Sequence, residues 1–325
     1  MKYFVADKNQ VVLGTESGTT WGTLHTSGTW IGMVQNHTIS DNEGITTYRY
    51  AGTADRNVST FIQGPTEVTG TLEFFPQDFR FAYYALGSCA GNGSPVAHTI
   101  VEVNSDFVDP FNSGTFPSFQ LQDAQVTTTG SNLVRTCAGV MVDSATWTLT
   151  EGEPMRCSVN YVAKTCSFAT GGTWTATESA VEPYTWKQSI VHLPSGTEVD
   201  SVKDMSITVN NNLEVPHYCG SERNIGMPIP TNREYEISMT MNTTVPWQNN
   251  FIATYYKGGS AFNMMLWCPL SSTTNRTMSW AFSGCYVTAV DAPSPSEGVN
   301  EMSVTIVPTT SSITEKANTG SYFSF

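Results

Sequence analysis

Residues 69–88 read TGTLEFFPQDFRFAYYALGS, and residues 235–259 read YEISMTMNTTVPWQNNFIATYYKGG. Each begins with apolar or small residues alternating with polar ones, then enters an aromatic stretch that closes on Tyr-Tyr and a glycine. Val68, Gly70, Leu72 and Phe74 share one face of an extended chain, as do Tyr235, Ile237, Met239 and Met241. This period of two predicts a strand buried on one side, and its return predicts a duplicated unit.

The surroundings repeat as well. HTISDN at 37–42 matches SITVNN at 206–211, with Ile39 and Ile207 separated by 168 residues. AGTADRN at 51–57 matches CGSERN at 219–224; Gly52 and Gly220 keep that separation, and one deletion brings Arg56 and Arg223 to 167. Arg56 precedes Glu67 by the same 11 residues that separate Arg223 from Glu234. Later, residues 133–162 resemble residues 278–307, and Leu133 and Met278 each stand six residues before a glycine, Gly139 and Gly284. Turns are expected at TEGEP and SEGVN, around Glu151-Gly152 and Glu297-Gly298.

The chain therefore divides into a first domain at 1–168, a Gly/Thr/Ala-rich linker at 169–185, a second domain at 186–308 and a polar tail at 309–325. A short helix is expected over PQDFRFAYYALG, with Pro76 in its first turn and Gly87 at its C-cap. Phe79, Ala82, Tyr83 and Leu86 would form its apolar stripe. The second copy ends YYKGG in place of ALG, which weakens the case for a helix there.

Composition agrees with a mostly β protein. Of 325 residues only 13% are charged, against roughly 25% in ordinary soluble domains, and polarity comes from Ser, Thr and Asn. The net charge of −13 is spread evenly, −7 over residues 1–168 and −6 over 169–325. That balance argues against a tight nucleic-acid binder. No apolar run is long enough for a signal peptide or a membrane span. Seven cysteines without C-x-x-C spacing are read as mostly buried thiols made in a reducing cytosol.

No catalytic, cofactor-binding or metal-binding residue is assigned. His25, His37, His98, His192 and His217 form no paired motif and are expected on the surface or in loops. Glu151/Glu153 and Asp106/Asp109 are close in sequence but sit in expected turns, where solvation explains them. The tryptophans and tyrosines are expected mainly in the core.

An early Glu16 before a Gly-Thr segment, a Trp-containing entry (Trp21 and Trp30), the G-x-x-x-R block at Gly52–Arg56, the strand GTLEF at 70–74 and the ALG ending at 85–87 follow in that order. PSFQLQD at 117–123 and GVMVDSATWTLTEGEPMRCSVNYVAK at 139–164 continue it. The order resembles tail tube (major tail) proteins of long-tailed bacteriophages and head-tailed archaeal viruses, over most of 14–164 and more weakly over 186–308. The resemblance implies two tandem β-sandwich domains, each with a flanking helix and a hairpin, whose strands close an inner barrel with neighbouring subunits. It implies stacked rings around a channel for genome DNA, which passes without specific binding. Its implied partners are copies of itself and the tape measure, terminator and tail-tip proteins, in a virion tail assembled in host cytoplasm. No membrane partner is expected.

Tube rings of this kind usually hold six domains, so a chain with two predicts a trimer of pseudo-sixfold symmetry. Other readings stand beside this one: a ring-forming hub or terminator that does not stack, or a carbohydrate- or receptor-binding β-sandwich of the tail tip. The segments at 107–116 and 192–201 are expected as loops available for ring stacking.

Overall fold

A computed structural model describes residues 9–16, 21–22, 28–49, 57–58, 60–92, 96–103, 117–126, 132–172, 174, 176, 178, 181–194, 196–220, 223–243, 251–271, 276–293 and 300–317. Within them lie β1 (Gln10–Thr15), β2 (Met33–Asn42), β3 (Ile45–Tyr48), β4 (Thr60–Gln63), β5 (Glu67–Phe75), helix α1 (Arg80–Leu86), β6 (Gly87–Asn92), β7 (Val96–Glu102), β8 (Phe119–Val126), β9 (Asn132–Leu149), β10 (Arg156–Ala163) and β11 (Thr165–Thr170). A 3₁₀ turn at Trp186–Gln188 leads into β12 (Ile190–His192), β13 (Glu198–Val199), β14 (Val202–Asn210), β15 (Leu213–Glu214), β16 (Ile229–Pro230) and β17 (Glu234–Asn242). A π-helical turn at Ile252–Lys257 precedes β18 (Phe262–Ser271), β19 (Arg276–Asp291), β20 (Glu301–Val307) and β21 (Thr310–Ala317). The chain is mostly β, as its alternating sequence predicts.

One layer is an antiparallel sheet in the order β2-β5-β10-β9-β14-β17-β20-β19. The opposite layer holds β1-β8-β9-β11 and β13-β12-β18-β19-β21-β7-β6. The long strands β9 and β19 belong to both layers. Each changes layer beside a glycine in the left-handed region, Gly139 at φ 65° and Gly284 at φ 58°. A Cβ at Gly139 would lie 2.7 Å from the Trp21 ring nitrogen, and one at Gly284 2.2 Å from the Thr309 hydroxyl.

Pairing in the second half repeats that of the first. β2–β5–β10–β9 has the same order as β14–β17–β20–β19, and the registers coincide. Ile39 faces Gly70 and Ile207 faces Ile237; Tyr161 faces Val142 and Ile306 faces Val287. Even the irregularities recur. Register skips Gln35 in β2 and Lys203 in β14, then Asp143 in β9 and Thr288 in β19. The separations are 168 residues at the first bulge and 145 at the second, matching Ile39/Ile207 and Gly139/Gly284.

Several local expectations need correction. Helix α1 starts at Arg80, so Pro76 lies before its first turn. The Glu315 carboxylate accepts the Phe79 N–H at 3.1 Å and the Asp78 side chain accepts that of Arg80 at 3.0 Å, which hold the preceding segment out of the helix. Gly87 does cap the helix in the left-handed conformation, its N–H reaching the Tyr83 carbonyl. Within the stretch read as a polar tail, Thr310–Ala317 is a strand between β19 and β7. Strand β11 runs to Thr170, past the expected boundary at 168. In the expected linker Tyr184 is fully buried, with its hydroxyl donating to Glu315 at 2.7 Å. The turn at Glu151-Gly152 joins β9 to β10 as expected, whereas 297–298 and the loop 107–116 lie outside the described residues.

Leu72, Trp147, Val159, Ile207, Ile237, Val304 and Trp280 belong to one continuous apolar core that runs through both halves.

Candidate assembly surface

Among the described residues the eight-stranded sheet contains an internal seam and two free edges. At the seam β9 pairs with β14, setting Leu149 opposite Met205, Trp147 opposite Ile207 and Ala145 opposite Val209. These side chains alternate into the core and are all buried. Trp147 also meets Trp280 edge to face, and Phe79 meets the same indole at 5.9 Å. Polar contacts lock the seam's end. The bulged Asp143 accepts the Asn211 N–H through its carbonyl at 2.7 Å and the Leu213 N–H through its carboxylate at 2.9 Å. Asn211 in turn donates to the Ala85 and Val142 carbonyls.

The free edges are β2 and the last stretch of β19, and they occupy the positions of β14 and β9 in the repeated pairing. Their core-facing residues are incompletely covered. Ile39 is half-buried where its counterpart Ile207 is buried; Val290 is half-buried where Ala145 is buried. An unpaired edge with half-covered apolar residues is a template for another strand.

The outer face of this sheet is paved with hydroxyls and amides. Thr38 and Thr71 share a hydrogen bond at 2.6 Å, Asn160 donates to Ser144 at 2.8 Å, and Thr146 and Thr208 meet across the seam at 3.1 Å. Alternation puts Glu67, Glu73, Glu234, Glu236, Asp291 and Glu301 on this face, together with Arg156 and with Lys203, which pairs with Glu301 at 2.6 Å. Carboxylates outnumber bases on it.

Beneath β2 the first half buries a polar cluster. Asp123 pairs with Arg135 and lies 3.4 Å from His37 Nδ1, while His37 Nε2 and the Tyr161 hydroxyl are 2.8 Å apart. Burial alone would push the Asp123 carboxyl up, but the His37 contact and the Arg135 charge outweigh it and hold it below the usual range. His37 and His98 are strand residues with largely buried side chains, which corrects the expectation of surface histidines. His192 is in β12, His217 is in an exposed connection, and His25 lies outside the described residues. Glu16 clamps the bend of β9, accepting from Gly139 N–H at 2.6 Å, Gly22 N–H at 3.1 Å and the Ser118 hydroxyl at 2.5 Å. Its burial raises the carboxyl pKa despite those donors. Glu151 and Glu153 are exposed in their turn, and Asp106 and Asp109 lie outside the described residues. Among the described residues no group of three or more His, Cys, Asp or Glu could hold a metal. No described helix is long and apolar enough to cross a membrane.

A family model for the phage tail tube protein matches residues 7–264. The chain belongs to the phage tail tube family. This membership makes the tail tube protein a structural component of the virion tail, and it implies assembly with its own copies and with other tail proteins. A comparison with curated proteins finds no match. The matched span includes β2, β5 and the β9–β14 seam, and ends before β19. The early Glu16 and Trp21 of the sequence pattern meet at one place in it: Trp21 donates to the Gly139 carbonyl at 3.2 Å, beside the Glu16 clamp.

Proposed function

We propose that the chain is a major tail tube subunit in which two tandem tube domains fill two positions of a pseudo-sixfold ring. Three chains would close each ring, and stacked rings would form the channel for genome delivery. The first domain takes in β1–β11 and the second begins near Trp186. The observation that carries this reading is the β9–β14 seam, whose two partners have free counterparts in β19 and β2. Applying the seam's register to those edges sets Ala289 opposite Asn42, Val290 opposite Asp41 and Asp291 opposite Ser40 of the next chain. Ring closure would then satisfy both edges and bury Ile39 and Val290.

The acidic, hydroxyl-covered face would line the lumen. Carboxylates there repel DNA phosphates, and the absence of a basic stripe avoids the counterion release that makes DNA stick. DNA would slide without specific binding.

The test is electron microscopy of the purified chain as concentration and salt rise, combined with cross-linking. A chain with Cys219→Ser, Asn42→Cys and Ala289→Cys should give rings of three chains and, once oxidised, covalent species ending at the trimer. The off-register combination Asn42→Cys with Asp291→Cys should cross-link far less. Rings of six chains would overturn the trimer. Discrete particles under every condition would replace the tube reading with the hub, terminator or tail-tip reading, and a sugar-array screen would separate those.

A further inference from the structure

The two-stranded hairpin β3–β4 is strongly apolar on its surface. Ile45 is 57% exposed, Tyr48 44%, Phe61 67% and Ile62 50%. Isolated two-stranded hairpins are marginal in water, and such an apolar cluster on a separate two-stranded sheet needs a cover. The second half of the chain carries the equivalent arm, β15–β16. Ile45 faces Gln63 as Leu213 faces Pro230, at the separations of 168 and 167 residues that relate the rest of the repeat.

That second arm is docked. Its Ile225 is buried in a small cluster with Trp21 and Val162 of the first half. Arg223, on the same arm, donates to the Gly64 carbonyl at 2.9 Å and pairs with Glu43 at 3.1 Å. The surface receiving the arm includes Val162 and, opposite it across the β9–β10 pair, the fully buried Met141.

On the second half no described arm seats on the corresponding surface, which is partly exposed. Val307 stands where Val162 does and is 38% exposed; Tyr286 stands where Met141 does and is 45% exposed. Val307 also lines an open groove of ≈ 660 Å³ with Pro308, Thr309 and Tyr235. An apolar arm without a seat and a seat without an arm thus occur on one chain. Their residues are related to the docked pair by the same separations.

We infer that the β3–β4 arm of one chain docks on the Tyr286–Val307 surface of a second copy, with Val58 in the place of Ile225. This contact lies beside the β19–β2 junction and rests on the ring reading above. It assigns a use to six of the exposed large apolar side chains. It also makes the arm a lateral clasp within the ring.

The test compares three full-length chains: unsubstituted, Phe61→Asp/Ile62→Asp, and Val307→Asp. All substituted positions are exposed, so circular dichroism and thermal unfolding of the separated chains should be unchanged. Ring formation, followed by sedimentation and electron microscopy, should require more than about tenfold higher concentration for either variant. In addition, Val58→Cys with Val307→Cys, in the Cys219→Ser background, should yield oxidised species ending at the trimer. Normal rings from both Asp variants would overturn the clasp while leaving the tube reading intact. No rings from the unsubstituted chain would overturn both. Rings that are weakened but yield no Val58–Val307 cross-link, while Asn42→Cys/Ala289→Cys does cross-link, would also overturn this seat.

Discussion

Trp147 of β9 and Trp280 of β19 meet edge to face, with ring centroids 4.9 Å apart and planes at 89°. One indole comes from each half of the chain, so their contact ties the halves together beside the β9–β14 seam. Trp147→Ala should lower unfolding stability by about 3–5 kcal/mol, because the site is enclosed on every side and cannot collapse. Urea denaturation checks this, and a loss under about 1 kcal/mol would show that the seam does not depend on the pair.

The buried pair Asp123–Arg135 sets an acid limit on stability. Asp123 is depressed in the folded chain, so its contribution is complete above its ordinary value of 3.8 and fades as pH falls through the lower folded value. Arg135→Met should cost about 3 kcal/mol at pH 7 by leaving that carboxylate short of a partner. It should also flatten the fall in stability below pH about 4. A pH series of denaturant titrations reads both effects, and an unchanged acid slope would remove Arg135 from the account.

Gly70 has no room for a side chain. A Cβ there would lie 2.2 Å from the Tyr161 ring and 2.5 Å from the Thr38 carbonyl. Gly70→Ala should therefore destabilise the edge strand β2, whereas Ile237 holds the corresponding place in the second half without difficulty. Hydrogen exchange should show faster opening of β2 than of β14 in this variant. Equal protection of the two strands would contradict the packing argument.

The acidic face should matter for DNA and not for folding. Glu73→Lys and Glu236→Lys, neither on an edge strand, should together leave ring assembly intact. Tubes of this variant should retain double-stranded DNA at low salt and release it steeply as salt rises. Tubes of the unsubstituted chain should retain little at any salt. Equal retention by the two would place the face elsewhere than the lumen.

Much of this was legible in the sequence because alternation survives wherever one sheet face is buried. Tyr235, Ile237, Met239 and Met241 announce β17 directly, and Ile39/Ile207 and Gly139/Gly284 report the separations on which the paired registers repeat. Strand β21 was hidden because its inward positions include Ser311 and Glu315, both buried. Glu315 is tolerated there by the Phe79 N–H and the Tyr184 hydroxyl, donors contributed by distant parts of the chain. His37 was missed for the same reason. Its partners Asp123 and Tyr161, and Arg135 that pairs with Asp123, come from three other strands, and no local pattern connects them. The edges β2 and β19 read like any other strand, since a missing neighbour leaves no mark on alternation.

Hairpin β6–β7 follows helix α1 and extends the second half's outer layer by pairing with β21. After the π-helical turn the chain instead passes directly into β18 within a few residues. The β11 edge corresponding to β21 consequently keeps Phe168 in solvent, 59% exposed. In a closed ring of three, covered and bare stations would alternate around the circumference. Any protein attaching to the outside of such a ring would meet three equivalent berths at 120° intervals, even though its inner wall would approximate sixfold symmetry.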